Sequence, residues 1–256
     1  MGPIRRSLET RLAALGRVGA FAGALAWRAC TPPLFGRAIL GHVWSTSTRC
    51  LPPVVAVTLP FGMVVSLQGL EIFRVFGAER LLSSLVSVTV LRELAPVMAS
   101  VLIAAQGGSS CAAELGAMRI KEELDATAVM AVDPLRVHVL PRLLGLALSC
   151  PLLYVAGSSA GLFGGWFTAV LVKNEPSGIF LQSLWALTTP LDIWAGVVKT
   201  VVFGLCIGLV ASYHGTFATG GAAGVGRAVN DTVVHSVLVF ISANYLLTSA
   251  FFGATT

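Results

Sequence analysis

Five long stretches of this sequence are apolar and nearly free of charge, and they constrain the fold more than any other feature. They cover residues 51–72, 81–113, 143–172, 193–213 and 232–252. A helix needs about 20 apolar residues to cross the ~30 Å hydrocarbon core of a bilayer, because each residue adds about 1.5 Å. The pattern therefore predicts an all-α integral membrane protein with five transmembrane helices.

The overall composition excludes an ordinary water-soluble domain. Hydrophobic residues make up 55% of the 256 residues and charged residues only 11%, whereas soluble domains carry about 25% charged residues. A chain of this length has too few polar side chains to cover a surface that faces water. The cysteines lack C-x-x-C spacing and the histidines lack metal-ligand spacing, so we expect neither a metal site nor a disulfide framework.

The first 50 residues are predicted to form a separate region that lies along the membrane surface. Apolar residues recur there at helical spacing, with basic residues between them: Ile4, Leu8, Leu12 and Leu15 with Arg5, Arg6, Arg11 and Arg17. A basic amphipathic helix of this kind lies in the interface plane. A cleaved signal peptide is the weaker alternative, because Gly19 and Gly23 interrupt a short apolar run. We expect one membrane domain over residues 51–256.

A dense cluster of charges separates the second span from the third. It comprises Glu114, Arg119, Lys121, Glu122, Glu123 and Asp125. Apolar residues recur three or four positions apart through the same segment, so we expect an amphipathic helix over residues 114–128, outside the bilayer core. The spacing predicts Arg119 paired with Glu122 and Lys121 paired with Asp125. The helix should end near Asp133-Pro134.

Lysine and arginine predict the orientation of the chain. If the N-terminus is cytoplasmic, the intracellular segments hold twelve basic residues: Arg5, Arg6, Arg11, Arg17, Arg28, Arg37, Arg49, Arg119, Lys121, Arg136, Arg142 and Arg227. The outer segments then hold three: Arg74, Arg80 and Lys173. Because basic residues collect on the cytoplasmic side, the charged helix is predicted to be cytoplasmic. After five spans, the C-terminus is predicted to be periplasmic.

Four ionisable residues lie within or at the edge of the predicted spans. They are Arg92, Glu93, Asp192 and Lys199. Charges at membrane depth are costly and usually functional. Two interpretations stay open: the four residues make a polar contact that holds spans together or gates a path, or they lie near the membrane surface and extend their charged ends into water.

Small residues in the third and fourth spans predict close helix packing. Gly157, Gly161 and Gly165 are four apart, as are Gly204 and Gly208, and this spacing lets helices approach closely in lipid. The segment 157–161 also matches the G-x-S-x-G motif of serine hydrolases through Ser159. That motif requires a strand–turn–helix context, and here it falls within an apolar span.

Several motifs, in order along the chain, resemble one family. Residues 91–97 read LRELAPV, similar to LRELGPV; residues 113–119 read AELGAMR, similar to AELGTMR; residues 122–126 read EELDA, similar to the start of EQIDAL. Val132-Asp133-Pro134 and Pro141-Arg142 follow. The set resembles the MlaE/YrbE permeases, which serve MCE (mammalian cell entry) lipid transporters, and it covers nearly the whole chain after the N-terminal helix.

The resemblance implies the membrane permease subunit of an ABC-type lipid transporter in the bacterial inner membrane. The implied partners are a cytoplasmic ABC ATPase that carries ATP and Mg²⁺, a second permease copy or a paralogue, and a periplasmic MCE-domain protein. The implied substrate is membrane lipid, and no nucleic acid is involved. The sequence contains no G-x-x-x-x-G-K-[ST] phosphate loop, so we expect that this chain hydrolyses no nucleotide and binds no cofactor.

The resemblance also implies two functional surfaces. The charged helix corresponds to the coupling helix that contacts the ATPase, through Glu114, Met118, Arg119, Glu122, Glu123 and Asp125. A lipid cavity between subunits is expected to involve Phe61, Met63, Val64, Leu67, Gln68 and Leu70. One departure concerns residues 106–110, which read QGGSS where the family usually has GRVGS. An arginine of the family is therefore replaced by Gly107 or Gly108.

Two functions of other classes stay open as alternatives. An ion-coupled secondary transporter of a hydrophobic substrate would place ionisable groups near the midplane and show internal repeats. The middles of the first, third and fifth spans are uncharged, which disfavours it. A membrane-embedded lipid hydrolase would depend on Ser159 and a histidine, and the context of Ser159 disfavours that alternative.

Overall fold

All regular structure in the computed structural model is helical over the residues that it describes, which are 3–31, 35–186 and 188–253. The helices in these ranges are α1 (Pro3–Cys30), α2 (Gly36–Val75), α3 (Glu79–Ile120), α4 (Glu123–Val129), α5 (Leu135–Val172), α6 (Ser177–Leu184), α7 (Pro190–Thr216) and α8 (Gly221–Phe252). Five of them, α2, α3, α5, α7 and α8, are long and apolar enough to cross a membrane. This confirms the predicted all-α integral membrane fold.

The first spanning helix begins earlier than its apolar stretch. α2 starts at Gly36. Residues 36–50, predicted to belong to the N-terminal interfacial region, are therefore part of the same helix as the first span. The polar side chains that lower the hydropathy of this segment include His42, Thr46 and Arg49, and these line a cavity between helices. A helix can carry such residues at membrane depth where they face the protein interior rather than lipid.

The charged segment is not one helix, and the prediction of a continuous helix over residues 114–128 was wrong. α3 continues to Ile120, and α4 begins only at Glu123. Between them Glu122 adopts a left-handed backbone conformation with φ +59°, which costs a residue with a Cβ about 1–2 kcal/mol. The turn also changes the ion pairs: Arg119 contacts Asp125 at 2.6 Å, and Lys121 lies 4.0 Å from Glu123.

Close contacts join α5 to its neighbours, as the glycine spacing predicts. A Cβ atom added at Gly161 would lie 3.0 Å from a methyl group of Val90 on α3, and one added at Gly157 would lie 3.2 Å from a methyl group of Val54 on α2. A Cβ on Gly204 of α7 would approach the Cα of Ala147 on α5 to 2.7 Å. A larger residue at these positions would force neighbouring atoms to move. α5 lies at the centre of the bundle, with α2 and α7 packed against it.

The second half of α1 packs against the bundle on the side that carries α4. Phe21 is buried, and its ring lies 5.8 Å from the rings of Tyr213 and Phe217 at the end of α7. Near the end of α1, Arg28 forms an ion pair with Asp133, just before α5. The predicted amphipathic pattern at Ile4–Leu15 lies outside the side chains that the structure describes.

Candidate functional site

A cluster of charged side chains joins α3, α7 and α8 in the half of the bundle away from α4. It begins at a π-helical turn of α3, Val90–Leu94, which carries Arg92 and Glu93. Turns of this type insert an extra residue into a helix and occur frequently at functional sites. Both side chains reach residues of α7 about 100 positions further along the chain.

Arg92 forms the first ion pair of this cluster. Its Nε donates to Oδ1 of Asp192 at 2.8 Å, and the Asp192 side chain is fully buried. The other oxygen of Asp192 accepts from the backbone N–H of Thr189 at 2.7 Å, which caps the start of α7. The Arg92 guanidinium also lies 4.2 Å from the centre of the Phe252 ring on α8, within the range of a cation–π interaction.

Lys199 forms the second ion pair and satisfies all three of its N–H donors. Its Nζ donates to Oε1 of Glu93 at 2.9 Å, to the Arg92 carbonyl at 2.9 Å and to the Thr248 hydroxyl at 2.7 Å. Glu93 also accepts from Asn244 at 2.9 Å and from Thr248 at 2.9 Å. The side chain of Lys199 is fully buried, so these partners replace the water that would otherwise surround it.

These contacts show how the four residues are placed relative to one another. Asp192 and Lys199 are both 0% exposed and cannot extend into water. The contact between spans is therefore present, and it includes α8 through Asn244 and Thr248. Arg92 and Glu93 are only partly enclosed, with side chains 30% and 41% exposed. The buried side of the cluster, with Asp192 and Lys199, thus joins three helices. Arg92 and Glu93 form its partly exposed side.

The residues proposed to face a lipid cavity do not all share one environment. On α2, Phe61 and Val64 are 46% and 45% exposed, and Gln68 is exposed as well. Met63 and Leu67 are half-buried. Leu70 is only 1% exposed and packs in a cluster with Leu82 and Val86 of α3. The expectation that Leu70 lines a cavity was wrong, because its position on α2 faces α3.

The loop that contains α4 is anchored on one side and open on the other. Leu124 and Thr127 are buried, and the Thr127 hydroxyl lies 3.3 Å from Nε2 of His138 on α5. On the outer side are the exposed residues Glu122, Glu123, Asp125, Val129 and Met130. Val129 and Met130 are 87% and 68% exposed. This apolar pair was not among the residues predicted from the sequence. Two large apolar residues in a charged loop nevertheless indicate a contact surface.

Two of the six residues assigned to the α4 surface lie elsewhere. Glu114 is six residues before the end of α3, where it accepts from Arg142 of α5 at 3.1 Å and from Ser110 at 3.2 Å. Met118 packs against the main apolar core. Residues 106–110, which depart from the family motif, occupy a second π-helical turn of α3 and the residues after it.

Sequence comparisons relate this chain to known proteins. Residues 39–250 match the family model of the permease MlaE. A probable ABC transporter permease protein of Rickettsia prowazekii is 34% identical over 221 residues, which is 86% of this chain and 85% of the relative. The intermembrane phospholipid transport system permease protein MlaE of Haemophilus influenzae is 36% identical over 194 residues, 75% of this chain and 74% of the relative. The chloroplastic protein TRIGALACTOSYLDIACYLGLYCEROL 1 of Arabidopsis thaliana is 29% identical over 231 residues.

The ion pair between Glu93 and the fully buried Lys199 yields a test by double-mutant cycle. Glu93→Gln should lower the free energy of unfolding by about 3–5 kcal/mol, because it leaves the buried Lys199 ammonium without its carboxylate. Glu93→Gln combined with Lys199→Met should cost clearly less than the sum of the two single changes. Unfolding in mixed micelles, followed by circular dichroism, measures all four proteins. Arg80→Met, at an exposed position, is the control, and strictly additive effects would contradict the pairing.

Proposed function

Since the chain belongs to the MlaE permease family and is the membrane component of an ABC transporter, we propose that it moves phospholipid using ATP hydrolysed by a separate subunit. The observation that carries this proposal is the α4 loop, which is anchored between two spanning helices and carries an exposed acidic and apolar surface. We further propose that the protein is a multi-pass component of the bacterial inner membrane, with α4 in the cytoplasm.

The α4 loop has the mechanical properties that a coupling element needs. Its ends continue into α3 and α5, and the Arg119–Asp125 pair bridges the turn at Glu122. The Arg28–Asp133 pair fixes the segment after α4 to α1. We propose that these contacts transmit a displacement of α4 to α3 and α5.

The exposed surface of α4 predicts the chemistry of its partner. Val129 and Met130 present apolar side chains, with the carboxylates of Glu122, Glu123 and Asp125 nearby in the chain. Interfaces commonly place apolar anchors in a pocket and surround them with charges that steer association. The ATPase is accordingly proposed to offer an apolar pocket with basic residues at its rim.

The lipid path is proposed to lie on the opposite side of α2 from the bundle core. Phe61, Val64 and Gln68 of α2 are exposed. α8 is also weakly enclosed, because most of its side chains are exposed or half-buried. A second permease copy or a paralogue that faces these surfaces would enclose an apolar cavity between the two subunits. An MCE-domain protein at the end of the bundle away from α4 would then receive the lipid. Arg92 and Glu93 lie in the half of α3 away from α4, toward that same end.

The lipid-hydrolase alternative gains no support from the geometry around Ser159. This residue lies within the regular helix α5, and its hydroxyl donates to the carbonyl of Val155 at 2.8 Å. A serine nucleophile of the G-x-S-x-G type requires a strained turn and a nearby base. Ser159 is therefore assigned to the surface of α5.

The docking role of α4 is tested by charge placed on its apolar anchors. Val129→Asp with Met130→Asp should reduce the amount of the ATPase that co-purifies with the tagged chain at least tenfold, because charges would enter an apolar pocket. Quantitative mass spectrometry of the purified complex measures the ratio of the two subunits. Arg80→Glu, at the other end of the bundle, should leave the ratio unchanged. Equal recovery of the ATPase with both variants would count against the coupling role.

Lipid movement itself is tested with the complex reconstituted into vesicles. Transfer of fluorescent phospholipid to an acceptor should require ATP and should stop when ATP is removed, while the isolated chain should show no ATPase activity. Phospholipid should also be the main lipid that co-purifies, as judged by lipid mass spectrometry. Transfer that persists without ATP, driven by an ion gradient, would support the secondary-transporter alternative instead.

A further inference from the structure

A polar cavity of about 220 Å³ lies between α2, α3 and α5, on the same side of the bundle as α4. Its lining includes Arg49 of α2, Arg142 of α5, and Gln106, Ser110 and Glu114 of α3. We propose that this cavity binds the phosphate group of a phospholipid headgroup. The proposal concerns a site other than the transport path, and it depends only on the membrane-spanning fold.

The charges around the cavity leave one positive charge without a counterion. Nε of Arg142 donates to Oε2 of Glu114 at 3.1 Å, and Oε1 of Glu114 accepts from Ser110 at 3.2 Å. Glu114 and Arg142 therefore neutralise each other. Over the residues that the structure describes, no carboxylate lies within 4.0 Å of Arg49. A phosphodiester carries one negative charge, which balances the charge of Arg49.

The donors that line the cavity are suited to phosphate oxygens. The planar guanidinium of an arginine can donate two parallel hydrogen bonds to one phosphate, and this geometry favours arginine at phosphate sites. Hydroxyl and amide groups from Ser45, Thr46 and Gln106 lie around the same space. A water molecule takes about 30 Å³ in the liquid, so the cavity is large enough for a phosphate group with some water.

A π-helical turn of α3 borders this space. It covers Ala104–Gly108, and Gly107 lines the cavity. A Cβ atom at Gly107 would lie 2.7 Å from a methyl group of Leu146 and 3.0 Å from the methyl group of Thr46. A larger residue at this position would have to displace both neighbours.

Three helices place the cavity at the level of lipid headgroups. Hydrocarbon extends about 15 Å from the bilayer midplane, which is about ten residues along a helix. When the midpoint of each spanning helix is placed at the bilayer midplane, this boundary falls near Thr46 in α2 and Ser110 in α3, which both line the cavity. In α5 it falls between Leu143 and Leu144, one to two residues beyond Arg142, which lines the cavity as well. A headgroup phosphate reaches this depth without leaving the membrane, whereas its acyl chains can stay among the exposed apolar residues of the bundle.

The test uses the full-length protein in detergent and native mass spectrometry. Titration with phosphatidylglycerol should show a bound lipid, and diacylglycerol, which lacks the phosphate, should bind at least tenfold more weakly. Arg49→Gln should weaken phosphatidylglycerol binding about tenfold, and Arg49→Lys should have a smaller effect, since it keeps the charge and loses the planar donor pair. Arg37→Gln is the matched control, because Arg37 lies on the same helix and is exposed like Arg49 but does not line the cavity.

The outcomes separate the lipid from other sources of phosphate. If inorganic phosphate at equal concentration displaces phosphatidylglycerol, the cavity binds free phosphate and the lipid assignment is overturned. Equal binding by the Arg49→Gln and Arg37→Gln proteins, with unchanged unfolding midpoints, would also overturn it. If Arg49→Gln does not fold, the Arg49→Lys protein and the comparison of the two lipids in the unchanged chain still decide the question.

Discussion

A charge inside hydrocarbon must have a partner, and this constraint accounts for much of the arrangement of the bundle. Where α3 carries Arg92 and Glu93, α7 supplies Asp192 and Lys199. Loss of Arg92 or Glu93 would leave the fully buried Asp192 or Lys199 without its partner, at a cost of several kcal/mol. The ion pairs therefore hold α3 beside α7, while close contacts at Gly157, Gly161 and Gly204 set how near the helices approach.

α3 connects the two regions to which we assign functions. Its N-terminal half carries the cluster that binds α7 and α8, and its C-terminal end carries Arg119, which contacts α4 through Asp125. π-helical turns interrupt α3 at Val90–Leu94 and Ala104–Gly108. The first turn bears the ion pairs, and the second borders the polar cavity. A motion applied at α4 would thus act on a helix whose irregular turns coincide with its polar contacts.

The sequence is sufficient to predict features that depend on local composition. It does not predict features that depend on contacts between residues far apart in the chain. The number of spans follows from the length of the apolar stretches, and the packing of Gly204 against α5 follows from small-residue spacing. The pairing of Arg92 with Asp192 joins residues 100 positions apart, so no local pattern specifies it. The break at Glu122 depends on the backbone of one residue. Spacing alone therefore predicted the wrong partners for Arg119 and Lys121.

Leu70 shows that sequence similarity does not give the rotation of a helix about its axis. Sequence similarity placed it beside Phe61 and Val64, yet the rotation of α2 turns Leu70 toward α3 and leaves the other two exposed. Likewise, the polar residues at the start of α2 reduce its hydropathy, and only the three-dimensional arrangement shows that His42 and Arg49 face a cavity. Composition predicts that a segment is at membrane depth, whereas packing decides which side of the helix meets lipid.

The whole account requires that α4 lies in the cytoplasm, and cysteine accessibility tests this most directly. In a Cys30→Ser background, which removes the exposed native thiol, single cysteines are introduced as Ala126→Cys on α4 and Arg80→Cys at the opposite end. Both positions are exposed. A membrane-impermeant maleimide added to spheroplasts should label position 80 at once, and position 126 only after the membrane is permeabilised. The reverse pattern, with position 126 labelled in intact spheroplasts, would place α4 outside and contradict the proposed coupling to a cytoplasmic ATPase.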